Sequence, residues 1–590
     1  MSNILWSFST TLRNPERIPS FFKTICEMEG EIWNNENQEK FQILLIKNRF
    51  YVPEEKGLNP KQISILNDLS KEMTFEEAKS IFNSKHYNDP PMRGRMSFDP
   101  LEKVGLVSLI NNKITITKVG KLYSEGKLEF GDVFFNFLIK QQYPCPLSRD
   151  NSVGFCIKPF IAVLHIIKLV NEKWEKLGFD PVGISKEEFG IFCLNVKRYT
   201  DIPLIADKLI EFRKQVRSIV GDKNKRIYAD IYMHDYLKDF KDIDKKLKDY
   251  RDNMIRCIRL TKLIFIRGNG YYIDLEPRRN VEITSLLEKD KAEAKSFNLD
   301  SWNEFIGSPD SYVLPWETKE SLEKIQENIL KDIRKLEKEL NVPAKSFDIL
   351  KELLDANSNI TNLRNYRKAL ESEKLKNTYS ELNKALEVAG LFNTRSIANC
   401  EANRPSVELE RLSTLALNII DDSILIKPNY PVGDDNEPTF TAPADVPDIE
   451  CFYENFNAIC EVTMLTSRNQ WVNEGQPVMR HLRDFEDISD KKDNYCLFIA
   501  PSIHVDTLNT FWFACKYEYY GKKQKILPLT IDQIHILLSK VSELKENGNK
   551  VNHNKFKELF DICTDVNNIT NALEWKESIN TNFESWINSL

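Results

Sequence analysis

PDIECFYENFNAICEVT, residues 447–463, carries Asp448 and Glu461 at the two ends of an otherwise apolar and aromatic run. Read as a β-hairpin turning between Glu454 and Asn455, the stretch sets Asp448 directly opposite Glu461. Side chains paired in this way have Cβ atoms about 4.5–5.5 Å apart. Two carboxylates that close repel, and burying them without compensation raises a pKa strongly. A divalent cation removes the conflict, and hard oxygen ligands in this number suit magnesium, which leaves further positions to water and phosphate oxygens. Two more acids are candidates for the same site: Glu410 on the helix-patterned SVELERLSTLALNII, and Glu474 at the start of the helix expected after the second strand.

The surrounding pattern, from 404 to 590, alternates helix and strand: helix 406–420, the hairpin, helix PVMRHLRDFED, strand YCLFIAP, helix VDTLNTFWFACKYEYY, strand KILPLT and helix IDQIHILLSKV. That order predicts an α/β domain with a mixed sheet flanked by helices. Upstream, 317–390 reads as long amphipathic helices whose apolar stripes suit an antiparallel pair, a spacer or a dimer contact. Residues 281–315, with a charged helix and a Gly-Ser-Pro-Asp turn, read as a linker. Residues 155–220 look helical and packed. Two stretches, 61–123 and 252–280, each read as helix followed by hairpin, the first turning at Asn111-Asn112 and the second at Arg267-Gly268-Asn269-Gly270. Both have the look of winged-helix units, in which a helical pair reads DNA and the hairpin lies along its backbone.

At 590 residues the chain predicts roughly three to four folding units. No apolar run reaches the length of a membrane span, and the N-terminus lacks an export signal, so a cytoplasmic protein is expected. Eleven cysteines are scattered with no C-x-x-C pair, which reads as reduced core thiols. The net charge of −6 hides two electrostatic halves. Residues 201–280 hold 19 Lys and Arg against 13 Asp and Glu, whereas 401–460 hold 3 against 12. A basic segment attracts a polyanion, and an acidic one repels it unless cations intervene.

PDIE and EVT with the hairpin between them resemble the core of PD-(D/E)XK nucleases, in which an Asp and a Glu hold magnesium against the scissile phosphate. The whole chain resembles the AlwI-like family of type IIS restriction and nicking endonucleases, through WSFSTTLRNPERI, EGEIW, ITITKVGKLY, KQQYP at 140–144, LIFIRGNGYYIDLEP, and the run from PDIECFYENFNAICEVT through GQPVMRH to YCLFIAP. The resemblance implies a DNA-recognition region of two winged-helix-like subdomains over 1–280, a linker over 281–315, and a cleavage domain over 316–590 with a helical spacer at 317–390 and a nuclease core at 404–540. It implies an active site of Glu410, Asp448, Glu461 and Glu474, with the first three holding magnesium. The position two after Glu461, where the general nuclease motif has Lys, is Thr463. Such an enzyme binds a short asymmetric double-stranded site and cuts a few base pairs to one side.

Base and phosphate contacts are expected from the N-terminal half, with Arg13, Arg93, Arg95, Lys118, Arg256, Arg259 and Arg267 as candidates. One catalytic set per chain cuts one strand. A double-strand break therefore needs a transient homodimer or a small second subunit, while a chain that recruits neither is a nicking enzyme; a cognate methyltransferase completes the system. A catalytically dead DNA-binding regulator is the rival from another class. Neither a P-loop nor a methyltransferase motif occurs.

Overall fold

The computed structural model describes residues 5–6, 8, 15–67, 72–147, 154–240, 243–267, 272–379, 381–400, 405–420, 423–443, 446–549 and 551–590. The described chain forms two compact units, one reaching to Asn328 and including Asp348–Thr361, the other formed by Ile329–Phe347 and Asn362–Leu590. No helix among the described residues is long and apolar enough to cross a membrane.

The first unit is mostly helical. Helix α1 (Asn35–Lys47) packs on helix α2 (Pro90–Lys103), and the contact needs a glycine. A Cβ on Gly94 would lie 1.9 Å from the Gln38 carbonyl oxygen. Strands β1 (Val107–Ile110) and β2 (Lys113–Ile116) pair antiparallel about Asn111 and Asn112, whose φ values of 51° and 58° suit the tight turn. A second small sheet has the order β3 (Ile184–Ser185), β5 (Tyr272–Leu275), β4 (Ile264–Arg267) and is antiparallel throughout. Helix α3 (Ile243–Arg259) precedes it and starts nine residues before the expected Asp252. The expected turn at Gly268–Gly270 lies outside the described residues.

Residues 281–315 are folded into this unit instead of forming a free linker. Helices Asn280–Lys289 and Leu299–Gly307 bury Ile283, Leu286, Leu287, Trp302 and Ile306. Buried polar groups fasten the segment. Lys158 donates to Asp290 at 2.6 Å, the Tyr312 hydroxyl donates to the same carboxylate at 2.8 Å, and Asn136 donates to the Ile306 carbonyl at 3.0 Å. Lys140 donates to Asn136 and to the Ser308 carbonyl, and burial pushes its pKa down to about 7.

The division between the units falls inside helix α4 (Lys319–Leu340). Asn341, at φ 54°, ends that helix, and Pro343 prevents its resumption. Residues 342–350 then carry no helix or strand, and the chain returns along α4: the Lys345 amide donates to Glu337 and the Leu350 amide to Gln326. Helix α5 (Leu353–Tyr379) therefore runs parallel to α4, with Asp332 facing Arg367 and Glu339 facing Lys374. The expected antiparallel pair is corrected by this extended return.

The second unit is built on a five-stranded mixed sheet in the order β10 (Ile526–Thr530), β9 (Asn494–Ala500), β8 (Asn457–Val462), β7 (Ile449–Phe452), β6 (Leu425–Pro428). Strands β8, β9 and β10 are parallel, and β6 and β7 are antiparallel to their neighbours. All seven residues of β9 are buried, the mark of a strand covered on both faces. Helices α6 (Pro405–Ile420), α7 (Ser467–Ile488) and α8 (Val505–Lys516) help form the cover, and at the hairpin turn Phe456 meets Tyr495 edge to face while Tyr495 stacks on Phe560. Ile449 pairs with Cys460 and Phe452 with Asn457, which is the register that sets Asp448 against Glu461.

Asp290→Ala should leave the Lys158 ammonium buried without its partner, a loss of about 3–5 kcal/mol. Urea unfolding of the variant measures it; a midpoint equal to wild type would mean that the 281–315 segment is not fastened to its unit.

Candidate active site

Each of the four acids is placed by a different piece of the second unit. Glu410 projects from α6 and is 3% exposed; its Oε2 accepts the Ala442 amide at 2.9 Å. Asp448 stands one residue before β7, and its Oδ2 accepts the Val462 amide at 2.8 Å. Glu461 lies near the end of β8 with its Oε1 2.8 Å from His481 Nδ1, both side chains buried. Glu474 lies about two turns inside α7, whose first residue is Ser467, and not at the helix start as expected. Thr463 lies close enough to Glu474 to lower its carboxyl pKa, and the Thr463 hydroxyl itself accepts the Leu465 amide at 3.1 Å.

Burial is the first cause of a raised pKa at all four carboxyls. Repulsion within the group adds to it. Asp448 and Glu474 push Glu410 to about 9, Glu461 and Glu474 push Asp448 well up, and Glu474 and Glu410 push Glu461 well up. Opposing groups are few: Arg480 acts on Glu461, and Thr463 and His481 act on Glu474. No described Lys or Arg forms an ion pair with any of the four. Their mutual effects make the four acids one electrostatic unit in the fold.

Half of it buried and half partly exposed, oxygen-only and short of cations, this donor set fits a hard divalent ion. The four acids are spread more widely than a closed ligand cage. Among the described residues, the one set of three or more ligand atoms lying within 4.8 Å of one another is Asp230, His234 and Asp244, all exposed and remote in sequence from the four acids. His481 was not among the expected site residues. Its signal was the seven-residue step from Glu474, two helical turns that put both on one face of α7.

The expected DNA contacts are dispersed over the first unit. Arg93 and Arg95 lie on α2, the former 4.4 Å over the Tyr87 ring, the latter bound to Asp89 at 2.6 Å and Gln38 at 2.8 Å. Lys118 is paired with Asp310, and Arg256 and Arg259 are half-buried on α3. Arg267 ends β4 with a side chain outside the described set, and Arg13 lies outside the described residues. Arg95 and Lys118 already hold carboxylates, so a phosphate there must displace one.

A family model described as AlwI restriction endonuclease matches residues 102–537, well over half of the chain. The protein is a restriction endonuclease by family. It belongs to the AlwI restriction endonuclease family. Among solved structures it is similar to the small subunit of the heterodimeric restriction endonuclease R.BspD6I, with 21% identity, 34% of this chain and 98% of that chain covered, and a TM-score of 0.29. It is also similar to the BpuJ1 endonuclease binding domain, crystallised with pyrene- and phenanthrene-modified DNA, with 13% identity, 52% and 97% covered, and a TM-score of 0.30. No curated protein matches the chain.

A carboxyl whose pKa is raised on folding holds its proton when the unfolded chain has released it. Its contribution to stability is complete at acid pH and is lost as pH rises from the ordinary value of 4.5 through about 9 for Glu410. In EDTA, Glu410→Gln should therefore melt higher than wild type at pH 9, by about 2–4 °C for each kcal/mol of repulsion relieved, and the gap should shrink toward pH 5. Differential scanning fluorimetry across that range checks it; parallel pH profiles would sink the electrostatic account.

Proposed function

We propose that this restriction endonuclease is a type IIS enzyme, binding a short asymmetric duplex site through its N-terminal half and hydrolysing phosphodiester bonds a few base pairs away with magnesium. The observation that carries the reading is the set of four mutually repelling carboxylates at the hairpin ends and on α6 and α7, Glu410 and Glu461 buried, Asp448 and Glu474 partly exposed. Their neighbourhood on a mixed sheet supports a PD-(D/E)XK type of nuclease core, and the helix-then-hairpin stretches ending at β2 and β5 support winged-helix recognition units.

Asp448, Glu461 and Glu410 would hold the metal. When bound, magnesium supplies charge neutralisation at the scissile phosphate, acidifies water and stabilises the departing 3′ oxygen. Glu474 orients and deprotonates the attacking water, with Thr463 beside it. His481 fixes one oxygen of Glu461 and so leaves the other turned to the site. Cleavage leaves 5′-phosphate and 3′-hydroxyl ends. The basic surface of residues 201–280 offsets the repulsion between DNA and the acidic cleavage region.

One set of acids per chain cuts one strand. Double-strand cleavage then requires a second cleavage domain, from a transient homodimer or a small partner subunit, and without it the enzyme nicks. A cognate methyltransferase would protect the host site.

Run-off sequencing of both strands of plasmid DNA treated with the protein and magnesium should show breaks at a fixed offset from one asymmetric sequence. Asp448→Ala and Glu461→Ala should each lower cleavage by several kcal/mol of barrier, on the order of 10³-fold or more, with site binding retained in a gel shift. Intact plasmid under varied metal and salt would leave the DNA-binding regulator as the reading.

A further inference from the structure

The strand ends beside the four acids continue into two loops that are built alike. The Thr463 amide donates to the Ile499 carbonyl at 3.0 Å, so the ends of β8 and β9 stand side by side. Five residues beyond Thr463 is Arg468, in the first turn of α7, and five beyond Ile499 is His504, the residue that caps α8. Gln470, fully buried, ties the two loops together: its amide donates to the Leu465 carbonyl at 2.9 Å and the Ser502 carbonyl at 2.7 Å, and its oxygen accepts the His504 amide at 2.8 Å. The Leu465 amide in turn donates to the hydroxyl of Thr463, the residue beside Glu474, at 3.1 Å. This edge is the carboxyl end of the parallel strands, the place where open α/β sheets receive their ligands.

Both side chains are oriented by the protein and left with donors to spare. Arg468 is exposed, with its guanidinium 5.7 Å from the centre of the Trp471 ring, and Trp471 is itself fixed by an indole N–H donated to Thr510 at 2.9 Å. His504 Nδ1 accepts the Asp506 amide at 3.2 Å, which places the ring proton on Nε2 as an outward donor. The Asp506 carboxylate lies 3.8 Å from Nδ1, on the other side of the ring from Nε2, and is half exposed. No described acid pairs with Arg468.

We propose that Arg468 and His504 form a subsite for a DNA phosphate adjacent to the scissile one, on the strand being cut. The inference rests on the nuclease reading of the four acids. Arg468 supplies a planar donor pair that matches a phosphate, His504 Nε2 supplies a second donor from the neighbouring loop, and Gln470 keeps the two loops at a fixed separation. The subsite holds the backbone in register with Asp448, Glu461 and Glu474. It reads no bases.

The test uses the full chain and a duplex carrying the site and offset found by run-off sequencing, with a single neutral methylphosphonate placed at each phosphate flanking the scissile bond in turn. Wild type should lose about tenfold or more in single-turnover cleavage when one flanking phosphate is neutralised. Arg468→Ala and His504→Ala should each lose a similar factor on unmodified DNA, bind the site as wild type does, and show little further loss with the same methylphosphonate; Arg468→Lys should recover part of the rate. Cleavage by Arg468→Ala and His504→Ala at the wild-type rate overturns the subsite while leaving the nuclease reading intact. Losses that multiply with that of the methylphosphonate also overturn it. Absence of cleavage by wild type overturns both.

Discussion

The bond from the Val462 amide to the Asp448 carboxylate, 2.8 Å long, is the constraint on which the active-site region depends. Asp448 stands outside β7, where no ladder bond of its own side chain would hold it. The Val462 amide pins it across the hairpin, next to Glu461, and the register of β7 on β8 determines that these two residues meet. A slip of one residue would turn every side chain of the hairpin to the opposite face. Ile449 and Cys460, both fully buried and paired, make such a slip costly, because their apolar surface has no second face to occupy. Burial of the apolar hairpin thus holds two like charges together that would separate if left to themselves.

Much of that hairpin was legible in the sequence because its logic is local. A strand has a period of two, a short turn fixes the pairing, and residues equidistant from Glu454-Asn455 must face each other. The mixed sheet followed from the alternation of elements around it. Glu474 needed the family resemblance, since one Glu on an amphipathic helix carries no signature, and its position inside α7 became clear only when the helix was seen to begin at Ser467. His481 was legible in principle by its step of seven from Glu474. What failed was reasoning from local pattern and charge. Residues 281–315 read as a linker because the segment is irregular and charged, yet Asp290 within it is bound by Lys158 and Tyr312, partners more than a hundred and about twenty residues away in sequence. The direction of α5 failed for a related reason: nothing in a helical stripe reveals that residues 342–350 return along α4 before the next helix starts.

The arginines and lysines of the N-terminal half illustrate the same limit. Whether a cation is free for a phosphate depends on which acid it meets in the fold. Arg95 and Lys118 meet Asp89 and Asp310, whereas Arg93 meets a tyrosine ring. A phosphate contact by either of the first two exchanges one anion for another, so its net gain is smaller than a count of basic residues suggests.

Thr463 gives the last step. At the position where the general nuclease motif carries a lysine, this chain has Thr463, whose hydroxyl accepts the Leu465 amide. A lysine there would bring a positive charge to the acids; a threonine brings none. The positive groups that act on the cluster are Arg480 on Glu461 and His481 on Glu474. On the proposed reading, the charge balance of the site therefore falls to the bound cation more completely than in an enzyme that keeps the lysine. The acidic balance of residues 401–460 points the same way. On the same proposal, a site with little built-in positive charge would admit a phosphodiester only together with the metal, and cation binding and substrate binding would be coupled by electrostatics alone.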